Sequence, residues 1–138
     1  MMTMHLDQAR LLLDFGLVVL IWMVQLLIYP SFKYFSPSAL LKWHKRYTFY
    51  MALIVMPLML GQFVIYAIQL YLEYSIFNVF GMLVVITLWL STFLQFVPLH
   101  QNISNDSFSE NTLKLLVSRN WIRVVLWSGL FVWSCIEF

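Results

Sequence analysis

His44 and His100 are the residues of this 138-residue chain whose types and settings point most directly to chemistry. An unperturbed imidazole titrates near pH ~6.5, so each can act as a general acid or base. Other polar groups recur at helical spacing around them. Gln25 and Tyr29 stand four residues apart, His44 and Tyr47 three, and Asn120 and Arg123 three, so each pair shares a helix face. Gln95 and His100 close the third apolar stretch. Three chemistries fit this set. The histidines can do acid–base work while Arg123 holds a substrate anion. They can ligate haem axially, with Arg119 and Arg123 near its propionates. Or they can hold a transition metal such as iron, copper or zinc, which ordinarily needs a third ligand. The nearest carboxylates, Asp106 and Glu110, fall in a polar loop, and neither His-x-x-His nor Glu-x-x-His occurs. The catalytic candidates are therefore His44, His100, Asn120 and Arg123, and the ligand-binding candidates Gln25, Tyr29, Tyr47, Gln62, Gln95 and Trp121. Any metal would fall to His44 and His100, and the cofactor stays open between haem, a transition metal and none.

The elements that must position these groups are set by composition. Hydrophobic residues make up 62% of the chain and charged ones 10%, far below the quarter or so that a water-facing domain carries. A chain this short and apolar must use a lipid bilayer as solvent. The fold class expected is all-α: one domain over residues 1–138, an integral membrane bundle of four transmembrane helices running up-down-up-down. The spans read as 11–29, 47–71, 76–97 and 115–136, with an amphipathic helix start over 37–46 that lies among the headgroups. The first span stops at Pro30 and the third ends at Pro98, because proline cannot continue the backbone ladder. Ser36 and Pro37 provide a hydroxyl cap and a proline for the first turn of the second helix. Glu73-Tyr74-Ser75 makes a tight reversal, and the run from His100 to Thr112 reads as a polar loop. Pro57 and Gly61 predict a kink in the second helix, stabilised by Gln62.

Basic residues set the orientation. Lys33, Lys42, Lys45 and Arg46 follow the first span, and Lys114, Arg119 and Arg123 follow the third, against Arg10 alone on the other side. By the positive-inside rule, loops 30–46 and 98–114 are cytoplasmic and both termini lie outside. Asn102-Ile-Ser and Asn105-Asp-Ser match the glycosylation acceptor pattern, but a cytoplasmic loop never meets the transferase. The first apolar run is too long for a signal core and carries Asp7 and Asp14 where a basic leader belongs, so it reads as a retained helix. Net charge is only +2, with no dense basic patch for nucleic acid. The single cysteine, Cys135, excludes an internal disulfide.

In an antiparallel bundle with these spans, the polar groups above collect at the cytoplasmic helix ends. Polar side chains within spans are costly and therefore informative. The bland account is that Gln25, Gln95, Asn120 and Arg123 make interhelical hydrogen bonds, while Lys33, Lys42, Trp43, Lys45, Arg46 and Lys114 anchor helix ends at headgroups. The functional account is a ligand pocket with a polar mouth and an apolar floor.

Five strings occur in order along the chain: QLLIYPSF from Gln25 to Phe32, HKRY from His44 to Tyr47, PLMLGQ from Pro57 to Gln62, PLH from Pro98 to His100, and NWIR from Asn120 to Arg123. Together they resemble a group of small, uncharacterised bacterial four-helix membrane proteins. That group is in turn distantly similar to the anthrone-oxygenase-like membrane family, which shares a Pro-x-His/Asn element after its third helix and an arginine near the fourth. Two positions depart from the pattern that the resemblance implies: Ile28 stands where a histidine is expected before Tyr29-Pro30, and Gln62 stands where an acidic residue is expected. Both departures remove candidate metal ligands.

These readings converge on a membrane-embedded enzyme or redox protein, oxygenase- or oxidoreductase-like, of the bacterial inner membrane. Its substrate would be lipophilic, aromatic or quinone-like, entering from the bilayer to meet His44, His100, Asn120 and Arg123. The competing expectation is a non-enzymatic membrane subunit or a lipid- or ligand-binding module, alone, as a homo-oligomer or in a larger membrane complex. A proton-coupled carrier ranks below both, since no acidic relay marks the middle of the spans.

Overall fold

The structure, a computed structural model, describes residues 2–138. Four helices account for nearly all of them: α1 (Met4–Tyr34), α2 (Pro37–Leu72), α3 (Ile76–Ser104) and α4 (Glu110–Ile136). Each is long and apolar enough to cross a membrane. Neighbours in sequence are neighbours in space, and α1 and α4 close the ring against each other. This is the all-α four-helix bundle that the composition demands.

Side chains are distributed as a bilayer solvent requires. Large apolar residues such as Leu12, Leu27, Leu94 and Val125 point outward and are largely exposed. The interior holds Leu17, Ile21, Phe96, Val124 and Trp127, and with them eleven buried polar or charged residues. Water cannot satisfy polar groups at membrane depth, so they turn inward and find one another.

The helix ends follow local chemistry. Ser109 caps α4, accepting from the Thr112 backbone N–H while the Thr112 hydroxyl accepts from the Ser109 N–H, a capping box. At Ser75 the hydroxyl accepts from the Asn78 N–H and starts α3, so Glu73-Tyr74-Ser75 is the expected reversal. Ser36 is the N-cap of α2 and Pro37 its first residue, but the Ser36 hydroxyl makes no capping bond.

Two expectations about proline are corrected. Neither Pro30 nor Pro98 ends its helix. In α1 the backbone widens into a π turn over Val24–Ile28, with the Tyr29 N–H bonded to the Val24 carbonyl. In α3 the same happens over Thr92–Phe96, with the Val97 N–H bonded to the Thr92 carbonyl. Each proline follows one residue later, after Tyr29 and Val97. The wide turn takes up one extra residue just where the proline ring would crowd the preceding turn, so the chain stays helical through it. As a result α3 runs on to Ser104, and His100 stands on a helix rather than in a loop. The third correction concerns Gln62 in α2, a helix that is continuous through Pro57 and Gly61. Gln62 does not serve a freed carbonyl there. Its carboxamide donates to Asp14 and accepts from the Trp127 indole.

Candidate functional site

At the helix ends joined by residues 35–36 and 105–109, four hydrogen bonds tie the four helices together. The Asn120 Nδ2 of α4 donates to the Gln25 Oε1 of α1 at 2.9 Å, and the Gln25 Nε2 donates to the Val117 carbonyl at 3.2 Å. Tyr29 Oη of α1 lies 3.0 Å from His100 Nε2 of α3. The His100 Nδ1 lies 2.8 Å from the His44 Nε2 of α2. The π turns make this possible: each inserts one residue ahead of its proline, and so resets which side of α1 and α3 carries Tyr29 and His100 inward.

The chain of contacts continues on the far side of His44, whose Nδ1 is 3.2 Å from the Ser104 hydroxyl. Tyr29, His100, His44 and Ser104 thus form an unbroken file in which all four imidazole nitrogens are engaged. Two hydrogen-bond polarities satisfy it. In one, the Tyr29 hydroxyl donates to His100, His100 to His44, and His44 to Ser104. In the other every bond is reversed, and the Tyr29 oxygen accepts from His100. The file is enclosed by rings. Phe32 meets His44 and Tyr47 edge-on, Tyr29 stacks on Phe96, and the imidazoles stack with centroids 5.0 Å apart. His44 is fully buried and Tyr29 nearly so.

Tyr29, His100 and Ser104 border a cavity of about 350 Å³ that reaches inward along the bundle. Its polar end also carries Tyr47, Thr48, Gln101 and Arg123, and its inner end is walled by residues such as Leu17, Val55, Met56 and Trp127. Along α1 the lining runs from Leu17 to Tyr29, roughly 18 Å at about 1.5 Å per residue. The mouth is lateral. Ala52 and Met56 of α2 and Phe93 and Gln101 of α3 are lining residues that are also exposed, so the cavity opens between these two helices toward lipid. The size and mixed lining are those of a ligand site.

Arg123 is 6% exposed. Its guanidinium lies over the Phe96 ring at 4.2 Å and the Trp127 ring at 5.2 Å, and its Nε has no hydrogen-bond partner. Among the described residues it forms no ion pair.

The sequence candidates separate on this geometry. His44, His100, Tyr29, Tyr47 and Arg123 come together at the cavity. Gln25 and Asn120 are buried beside it, between α1 and α4, and do not border it; they clamp two helices. Gln62 lies deeper, against Asp14. Trp121 does not border this cavity: it is exposed, edge-on to Trp22 on the outer face of α1 and α4. Gln95 sits half-buried in the π turn of α3, outside the cavity. Arg119 is exposed and His5 is exposed.

Sequence reasoning missed Ser104, Thr48 and Gln101. Ser104 and Gln101 fall in the segment read as a loop, and only continuation of α3 past Pro98 brings them inward. It also missed a second polar network at the other end of the bundle. Asp14, fully buried, accepts from the Gln62 carboxamide at 2.6 Å and the Tyr66 hydroxyl at 2.8 Å. Arg10 pairs with Asp7 at 3.0 Å and donates to the Ser134 hydroxyl and the Gln69 Oε1. The signal was present in the sequence as a carboxylate inside an apolar run, LLLDFGLVV.

The histidine pair does not fit axial haem ligation. A porphyrin iron needs its two axial nitrogens on opposite sides of the macrocycle, whereas these two imidazoles are in direct contact through a 2.8 Å hydrogen bond. No group of three or more His, Cys, Asp or Glu side chains suited to a metal ion occurs among the described residues. Compared with known proteins, the chain matches no family model, no curated protein and no solved structure.

Proposed function

We propose that this chain is a membrane-embedded enzyme or redox protein, of the bacterial inner membrane, that exchanges a proton with a lipophilic, aromatic or quinone-like substrate. The observation that carries this reading is the file Tyr29–His100–His44–Ser104, which runs from Tyr29 at the cavity to Ser104, a half-exposed serine that borders the cavity's polar end near the end of α3. The substrate enters sideways between α2 and α3 and rests its polar atom near the Tyr29 hydroxyl. When an oxygen of the substrate gains negative charge, the Tyr29 phenol gives it a proton and takes one from His100 Nε2. His100 Nδ1 is refilled from His44 Nε2, and His44 Nδ1 from Ser104, which draws on water beyond the helix end. The bonds of the file reverse together, one proton per passage, and the opposite sequence serves substrate deprotonation. Burial among rings strengthens each hydrogen bond of the file. The positive-inside bias puts Ser104 and the loop 105–109 on the cytoplasmic side.

Deletion of the gene, complemented separately with His44→Ala, His100→Ala and Tyr29→Phe, tests the proposal. Lipid extracts of the deletion strain are expected to accumulate a lipophilic species that the intact gene clears and the three variants do not. Full complementation by both histidine variants at normal protein levels would reject acid–base chemistry and favour a binding module or a structural subunit. Stoichiometric co-purification with larger subunits in mild detergent would separate those last two.

A further inference from the structure

The bundle buries two arginines, and it treats them in opposite ways. Arg10 is 3% exposed and saturated: its three guanidinium nitrogens reach Asp7, Gln69, and the hydroxyl and carbonyl of Ser134. Its charge is balanced by a carboxylate 3.0 Å away. Arg123 is 6% exposed and has none of this. Its neighbours are the faces of Phe96 and Trp127, which attract a cation but accept no directed hydrogen bond, and the hydroxyls of Tyr29 and Tyr47; none is a carboxylate. The two carboxylates of the adjacent loop and helix start do not approach it: Glu110 is exposed and pairs loosely with Lys114, and Asp106 is exposed. A guanidinium held away from water without an anion is expensive, and chains retain such a group where something else supplies the anion. Arg123 borders the cavity, beside Tyr29 and Tyr47, whose hydroxyls can add hydrogen bonds to an oxyanion.

Resting on the reading of this cavity as a site for lipophilic ligands, we propose that it also takes a single-chain lipophilic anion, a ligand distinct from the aromatic or quinone-like substrate. The ionised head oxygen, of a carboxylate or a phosphate, sits on Arg123, and the chain passes over Leu17, Val55 and Met56 and leaves for the bilayer between α2 and α3. The shape argues for one chain. The volume is about 350 Å³ with a long lining and a lateral mouth, at the small end of the range for ligand sites.

Trp127, 5.2 Å from the guanidinium, provides a reporter. In uncharged maltoside detergent, 9,10-dibromostearate and its methyl ester are titrated against the purified protein while tryptophan fluorescence is followed. The acid is expected to quench at a concentration at least about tenfold lower than the ester, as a charge-assisted contact requires. Trp127→Phe should remove that quenching component. The preference for acid over ester should vanish in Arg123→Met and survive in Arg123→Lys. Equal quenching by acid and ester in the unsubstituted protein overturns the proposal without relying on any variant, as does a preference that persists in Arg123→Met. Displacement of the bound acid by laurate or by dodecyl phosphate, whichever acts at lower concentration, identifies the head, and displacement by dodecanol at the same concentration as both counts against an anion. If the acid preference holds in the unsubstituted protein while both histidines prove dispensable in cells, the anion site stands and the proton-transfer reading falls. If the acid and ester are equivalent while the histidine variants fail to complement, the reverse holds.

Discussion

A polar side chain inside this bundle is explained by its partner, and the partner decides whether the residue serves stability or chemistry. Gln25 and Asn120 have each other and the Val117 carbonyl, and neither touches the cavity. They are therefore expected to behave as an interhelical clamp. In a double-mutant cycle, Gln25→Leu and Asn120→Leu should each lower the thermal midpoint in detergent. The double variant should recover part of the loss, with a coupling energy of about 0.6 kcal/mol and not above about 2 kcal/mol. Full activity in the Asn120→Leu variant would accompany that result. Loss of activity with stability unchanged would instead return Asn120 to the catalytic set. His100 is the contrasting case: it bonds Tyr29 on one nitrogen and His44 on the other, and it faces the cavity. The residue types at these positions were legible from the sequence. Which of them would spend their polar groups on one another was not, because that depends on how far each helix is rotated.

The helices are positioned by small departures from regularity. The π turns at Val24–Ile28 and Thr92–Phe96 let α1 and α3 pass their prolines and carry Tyr29 and His100 to the same place. The sequence shows both prolines, and from proline alone a helix end is the natural reading; the compensating wide turn needs tertiary contacts on the far side to hold it. Glycines act at the same scale. A Cβ at Gly81 of α3 would stand 2.5 Å from Tyr66 Cε1 and 3.0 Å from its Cδ1, and Tyr66 is held in place by Asp14. At Gly129 of α4 nothing lies within 4 Å. Gly81→Ala should therefore destabilise by about 1–3 kcal/mol through overpacking. Gly129→Ala should be neutral or stabilising by up to about 1 kcal/mol through helix propensity. Thermal melts of the two variants in one detergent check both signs. Equal behaviour would mean that α2 and α3 do not approach as closely as Tyr66 and Gly81 require.

As a whole, the molecule is an inverted globule: apolar faces outside, and inside it two polar networks with a cavity between them. The basic residues concentrate at the end that carries Ser104 and the loop 105–109, so that end is expected to face the cytoplasm. In a Cys135→Ser background, an impermeant maleimide applied to spheroplasts should label His5→Cys and leave Ser107→Cys unlabelled until the membrane is breached. Labelling of Ser107→Cys from outside would reverse the orientation, and with it the side to which the histidine file leads. The Trp127 indole, in the cavity wall, donates to Gln62, which holds Asp14. The wall of the cavity is in this way tied to the buried carboxylate of the opposite half.

Composition and the spacing of apolar residues determined that the chain forms four membrane-crossing helices, where the short reversal lies, and which polar residues fall within spans. Those properties are local or additive: hydropathy sums along a segment, and the bilayer thickness sets its length. Only the tertiary structure decided that His44 touches His100, that Ser104 ends the file, and that Arg10 has a carboxylate partner while Arg123, among the described residues, has none. Each of those facts depends on the relative rotation and depth of two or more helices. That is set by π turns, glycine contacts and interhelical hydrogen bonds, which have no expression in the hydropathy of any one segment.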